Sequence, residues 1–168
     1  MRVYLPATFS MLQELADNSQ FTARSGYGFA LTPALKEFYT EGEDEDIAEF
    51  ASDDAARASL RLLAIGDEQT FPYRRVVISV DVPDSHVTFD PDNGESVVIV
   101  NPAVITLDQV AALHIDVEAS EEATKAAINV IDEADLGDEG AELTVGDALD
   151  NFLAWYDPSE LEVLVQLL

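Results

Sequence analysis

Residues 75–82 read RVVISVDV, and this stretch decides the fold class. Valine or isoleucine occupies every second position from Val76 to Val82, and the positions between them include Ser79 and Asp81. Side chains of a strand point alternately to its two faces, so this period of two predicts a strand with one fully apolar face. Pro83 follows and ends the strand, because proline has no N–H to donate to a neighbour.

A hairpin is predicted after this strand. Residues 86–89 and 97–100 are predicted strands that flank Pro91-Asp92-Asn93-Gly94, a sequence typical of a turn. Further strands are predicted over 2–5, 29–31 and 112–117.

Apolar residues at helical spacing predict helices between and after the strands. Thr8 and Thr32 are suitable N-cap residues, and Pro33 suits a first helical position. The predicted helices span 9–18, 33–42, 47–65 (continuous or broken at 52–53), 120–135, a stretch from 144, and 161–168, with a short helical turn at 106–110. Residues 155–156 either end the stretch from 144 or form a closing strand. Residues 138–140 are predicted as a loop, and 41–46 as an acidic loop or a helix start.

This order of hairpins and intervening helices predicts an α+β fold. We expect a single domain over residues 1–168, with a mixed, mostly antiparallel sheet and helices packed on it. A length of 168 residues fits one domain, and no internal repeat or change of composition marks a boundary.

The charge of the chain excludes several classes of partner. It holds 34 Asp and Glu against 8 Lys and Arg, a formal net charge of -26. Attraction to nucleic acid or to anionic lipid needs an excess of Lys and Arg, so we expect no direct nucleic-acid binding and no membrane association. A basic protein is the partner that this charge favours.

No sequence feature predicts a cofactor or a metal site. There is no cysteine, and two histidines are too few for a three-His zinc site. Gly26-Tyr27-Gly28 lacks the third glycine of a dinucleotide fingerprint. The chain shows neither a signal peptide nor a run of about 18 apolar residues, so we expect a soluble cytoplasmic protein.

Several blocks of the chain resemble a family of small proteins of unknown function from actinobacteria. The blocks are RVYLPAT at 2–8, FALTPAL at 29–35, AARASLRLL at 55–63, RRVV at 74–77, HID at 114–116 and WYD at 155–157 with Glu160-Leu161. The resemblance spans most of the chain and implies a single cytosolic domain without an assigned activity.

The order of the first elements is also similar to the NAD-binding half of the ADP-ribosyltransferase fold. That resemblance implies a nucleotide site near the first strand. Its candidate ligand-binding residues are Arg2, Tyr4, Thr8, Tyr27, Arg57 and Arg61.

Arg57 and Arg61 lie four residues apart, on one side of a predicted helix. They either hold an anionic ligand or pair with local carboxylates such as Asp53. His114 and Asp116 share one face of their predicted strand. Either they form a general-base pair, or His114 is simply a partly exposed residue of the strand.

The C-terminal segment is the most apolar part of the chain. It either packs into the core or presents a face to a partner or to a second copy in a homodimer, since aromatic residues anchor many interfaces. The candidate interface residues are Trp155, Tyr156, Leu161 and Leu164.

No catalytic constellation stands out among these residues. We therefore expect a non-enzymatic interaction or regulatory module, and the alternative is a nucleotide-binding enzyme similar to ADP-ribosyltransferases.

Overall fold

A computed structural model describes residues 1–66 and 68–167 and confirms the α+β class. A seven-stranded sheet forms its centre, in the order β5-β6-β3-β1-β4-β8-β9. Its strands are β1 (Arg2–Ala7), β3 (Tyr27–Phe29), β4 (Val76–Asp81), β5 (Val87–Phe89), β6 (Val97–Val100), β8 (Val110–Asp116) and β9 (Leu153–Tyr156). Each of these pairings is antiparallel, which confirms the mostly antiparallel sheet that the sequence predicts.

Two short strands, β2 (Gln20–Thr22) and β7 (Val104–Thr106), form a separate antiparallel pair. Sequence reasoning missed both strands. Phe21 and Ile105 lie opposite each other in this pair and are fully buried. The pair therefore closes one side of the main core.

The helices are α1 (Phe9–Asn18), α2 (Pro33–Phe38), α3 (Asp44–Ala64), α4 (Glu121–Ile128), α5 (Ile131–Asp135), α6 (Glu139–Leu149) and α7 (Leu161–Gln166). Thr32 accepts a hydrogen bond from the N–H of Leu35 and caps α2 as predicted. Thr8 precedes α1, but its hydroxyl makes no capping bond.

The main core lies on the face of the sheet that α1 and α7 cover, here called the α1 face. The predicted apolar face of β4 points into this core through Val76, Ile78 and Val80. Gly28 lets β1 approach β3 closely, because a Cβ there would lie 2.7 Å from Val3 Cγ1 and 2.8 Å from Leu5 Cδ2.

The opposite face, the α3 face, is covered by α3 where the helix packs on β1, β3 and β4. Ala51, Ala55 and Ala56 are buried there, and these small side chains let the helix lie close to the sheet. The helix is continuous, so the break considered at 52–53 is absent. It begins at Asp44, where Glu43 and Asp46 form a reciprocal capping box.

Four helical predictions need correction. The helix expected over 33–42 ends at Phe38, because Tyr39 adopts an extended conformation. The helix expected over 120–135 divides into α4 and α5, because Val130 leaves the helical region. The loop expected at 138–140 is the start of α6, where the Asp138 carboxylate accepts the N–H of Ala141. The C-terminal helix begins at Leu161 as expected, directly after a 3₁₀ turn at Pro158–Glu160, but ends at Gln166.

Candidate functional site

A cavity of about 610 Å³ opens on the α3 face, at the end of the sheet formed by β8 and β9. Glu49 and Asp53 of α3 form one wall, and His114 of β8 lies below them. Asp150 and Leu153 line the opposite side, where α6 leads into β9. We call this space the acidic cavity.

Carboxylates dominate the charge of the acidic cavity. Glu49 and Asp53 lie one helical turn apart, so their side chains project from the same side of α3. Burial raises the pKa of Asp53, and the neighbouring Glu49 and Asp54 raise it further. No ion pair neutralises Glu49, Asp53 or Asp150 within residues 1–66 and 68–167.

His114 adds a polar but uncharged group to the cavity. Its Nε2 shares a hydrogen bond of 2.8 Å with Ser79 Oγ. Burial lowers the pKa of His114, and the nearby Arg2 guanidinium lowers it further, so the imidazole is neutral at pH 7. Ser79 is only 1% exposed, which keeps its hydroxyl from acting as a nucleophile on a bound molecule.

A buried ion pair forms part of the cavity floor. Arg75 Nη2 donates to Asp116 Oδ1 at 2.7 Å, and Arg75 Nε donates to Asp116 Oδ2 at 2.9 Å. Arg75 also donates to the carbonyl of Asn151, just before β9. The Asp116 carboxylate is thus engaged by Arg75 and by the Thr124 hydroxyl, rather than forming the general-base pair considered with His114.

Arg57 and Arg61 lie on the side of α3 that faces α5 and α6. Arg61 makes two hydrogen bonds to Asp135, of 2.7 and 2.9 Å. Arg57 binds Glu142 at 2.9 Å and Asp135 at 3.1 Å. Local carboxylates therefore engage both guanidinium groups, but the carboxylates come from α5 and α6 rather than from Asp53.

The fold brings together only some of the other residues predicted to bind a ligand. Arg2, Tyr4 and Tyr27 share the α3 face of β1 and β3, and the Arg2 guanidinium makes two hydrogen bonds to Asp81. Burial raises the pKa of Tyr4. Thr8 lies beyond the end of β1 and is 1% exposed, with a hydroxyl that has no hydrogen-bond partner.

The candidate interface residues lie on two faces of the sheet. Trp155 is 61% exposed on the α3 face, beside the acidic cavity. Tyr156 and Leu164 are half-buried on the α1 face, and Leu161 is in the main core. Phe152, which sequence reasoning did not single out, is 72% exposed at the cavity rim.

Sequence reasoning also missed Glu49, Asp53 and Asp150. The spacing of four between Glu49 and Asp53 was visible in the sequence. It could not single out these two among 34 acidic residues, because the packing of α3 against β8 and β9 decides which carboxylates share a cavity.

The described part of the chain contains no group of three or more His, Cys, Asp or Glu side chains placed to hold a metal ion. No helix within it is long and apolar enough to cross a membrane.

Comparison with known proteins gives one match. No curated protein and no solved structure matches the chain. A family model described as a family of unknown function, DUF6912, matches residues 1–165, as the resemblance to a family without an assigned activity predicts. The chain therefore belongs to the DUF6912 family.

Proposed function

We propose that this protein is a non-enzymatic, cytoplasmic interaction module that captures a basic segment of a partner protein in the acidic cavity. One observation carries the proposal: Glu49, Asp53 and Asp150 line a single cavity whose Arg75 is bound to Asp116, and no described residue forms an ion pair with these three carboxylates. A lysine or arginine of a partner supplies the missing positive charge.

The distribution of positive charge in the chain supports binding of a basic partner rather than an acidic one. Each arginine with a defined ion pair is satisfied by a carboxylate within the chain, as the pairs of Arg57, Arg61 and Arg75 illustrate. The neutral His114 adds no positive charge to the cavity. A net charge of -26 also accelerates the approach of a basic partner at low salt.

Phe152 at the cavity rim and Trp155 beside it, opposite His114, supply the apolar part of such an interface. Trp155 and Phe152 are 61% and 72% exposed, and aromatic residues of this kind dominate many binding hot spots. An indole ring also attracts an ammonium or guanidinium group placed over its face.

The test is the affinity of a fluorescent oligolysine peptide, measured by anisotropy near physiological salt. We compare the wild type with a Glu49→Gln/Asp53→Asn variant. A Glu14→Gln/Asp108→Asn variant is the matched control, because it removes the same charge from two exposed residues outside the cavity lining.

The proposal predicts a loss of about tenfold or more in affinity for the cavity variant, or about 1.4 kcal/mol. The control is expected to lose less than about twofold. Equal losses of affinity in both variants would mean that binding depends only on the overall charge of the protein, which would contradict the proposal.

A further inference from the structure

β9 is an edge strand whose outer side is open. The N–H of Asp116 donates to the carbonyl of Arg75 at 3.0 Å, on the side of β8 that faces β4. Because backbone groups of successive residues point to opposite sides of a strand, Leu113 and Ile115 direct theirs toward β9.

The register of β8 and β9 then defines the groups at the open edge. Leu113 lies opposite Tyr156 and Ile115 lies opposite Ala154, so these are the hydrogen-bonded pairs. The N–H and C=O groups of Leu153 and Trp155 point outward instead. Within residues 1–66 and 68–167, no backbone hydrogen bond reaches those four groups.

This edge lies between two cavities, one on each face of the sheet. The acidic cavity lies on the α3 face, beside Leu153. A second cavity of about 460 Å³ lies on the α1 face, where the apolar side chains of Phe9, Ile115 and Leu164 share the lining with Tyr156 and with charged residues.

The charged groups of the second cavity are largely balanced. Arg74 Nε and Glu121 Oε1 lie 2.7 Å apart and neutralise each other. Glu118 is exposed to solvent. The second cavity therefore offers apolar contacts with little unbalanced charge, whereas the acidic cavity offers several carboxylates to a cation.

We propose that the partner segment binds as an extended strand along β9 and becomes the eighth strand of the sheet. This inference rests on the function proposed above and specifies its ligand: a peptide in which basic residues alternate with apolar ones. Side chains of a strand alternate between faces, so the basic residues reach the acidic cavity and the apolar residues reach the second cavity.

A basic peptide fits this edge better than a second copy of the chain. A copy added at β9 would carry a charge of -26 and would bring its own Glu49, Asp53 and Asp150 near the same edge. A peptide that carries lysines brings the opposite charge.

The experiment uses a blocked hexapeptide of alternating lysine and valine, with binding measured by calorimetry. Two further peptides have the same side chains but are N-methylated at every lysine or at every valine, which removes half of the backbone donors. We expect one methylated form to lose about tenfold or more in affinity, and the other to bind like the parent.

The methylated peptide that loses affinity shows whether the added strand runs parallel or antiparallel to β9. With lysines on the α3 face, their amides face β9 in an antiparallel arrangement, and the valine amides face it in a parallel one. On the protein side, Trp155→Pro removes an outward N–H, and Trp155→Thr keeps it while also removing the indole. The proline variant is expected to bind the parent peptide about tenfold more weakly than the threonine variant, because only proline removes the donor to a peptide carbonyl.

Other outcomes overturn the inference. Equal affinity for all three peptides would leave the acidic cavity as a binding site but exclude strand addition. No binding of the parent peptide would contradict both this inference and the proposed function. A stable dimer of the free protein that Trp155→Pro dissociates would show that a second copy occupies the edge.

Discussion

The Arg75 guanidinium and the Asp116 carboxylate lie directly against each other beneath the acidic cavity, at 2.7 Å, with side chains that are 2% and 0% exposed. The same guanidinium holds the carbonyl of Asn151 at 2.8 Å. This ion pair thus connects the start of β4, the end of β8 and the entry to β9. It stabilises the fold and also positions the edge strand and the cavity wall.

Loss of Arg75 is expected to destabilise the protein strongly. Arg75→Met leaves the Asp116 carboxylate buried without its counterion, and breaking such a pair costs about 3–5 kcal/mol. Urea unfolding measures this change. Arg74→Met is the control, since its partly exposed pair with Glu121 contributes about 1 kcal/mol or less. A loss below about 1 kcal/mol for Arg75→Met would contradict the role given to the pair.

The nucleotide-binding alternative gives a different prediction at Arg57 and Arg61. Because both guanidinium groups bind Asp135, we expect Arg57→Ala and Arg61→Ala each to lower the unfolding free energy by about 1 kcal/mol or less. We also expect NAD, ATP and ADP-ribose to leave the wild-type melting temperature unchanged. A nucleotide-induced rise that the double variant abolishes without unfolding would support the enzyme instead.

The pH dependence of stability should report on His114. Its pKa is lowered in the folded protein, so protonation below about pH 6.5 favours the unfolded chain. Asp53 and Asp54 have raised pKa values, which act in the opposite direction at lower pH. The difference between wild type and His114→Gln isolates the histidine contribution.

We expect the unfolding free energy of the wild type, relative to His114→Gln, to fall as the pH decreases from about 7.5 to 5.5. Denaturant titrations at fixed salt measure this difference. A relative stability of the wild type that is constant or increases over this range would contradict the assignment of a neutral, partly buried imidazole.

Salt is expected to stabilise the fold. Repulsion among the carboxylates opposes compaction at a net charge of -26, and the screening length falls from about 10 Å at 0.1 M salt to about 3 Å at 1 M. The melting temperature should therefore rise between about 20 mM and 0.5 M NaCl. A fall would show that the surface ion pairs contribute more than the repulsion.

The alternation of apolar residues in the sequence was sufficient to predict the longer, buried strands of this fold. The alternation through Val76, Ile78 and Val80 predicts β4 because burial on the α1 face requires every second residue to be apolar. The three-residue strands β2 and β7 are too short for such a pattern. Their pairing depends on Phe21 and Ile105 meeting across a long sequence separation.

Other features depended on tertiary packing. The division between α4 and α5 falls at Asn129 and Val130, where no glycine or proline marks it in the sequence. This division lets Ile131 and Ala134 pack into the core beside α6. The candidate site depended on packing in the same way. Asp53 differs from other acidic helix residues only through the strands that α3 lies beside.

The most direct test of the central claim is an NMR titration of the ¹⁵N-labelled protein with the lysine–valine peptide. We expect the amide shift changes to cluster at residues 49–53, 114 and 149–156, with no comparable changes along α1. Changes spread over the acidic surface, or concentrated at Arg57 and Arg61, would contradict capture of a basic segment by the acidic cavity.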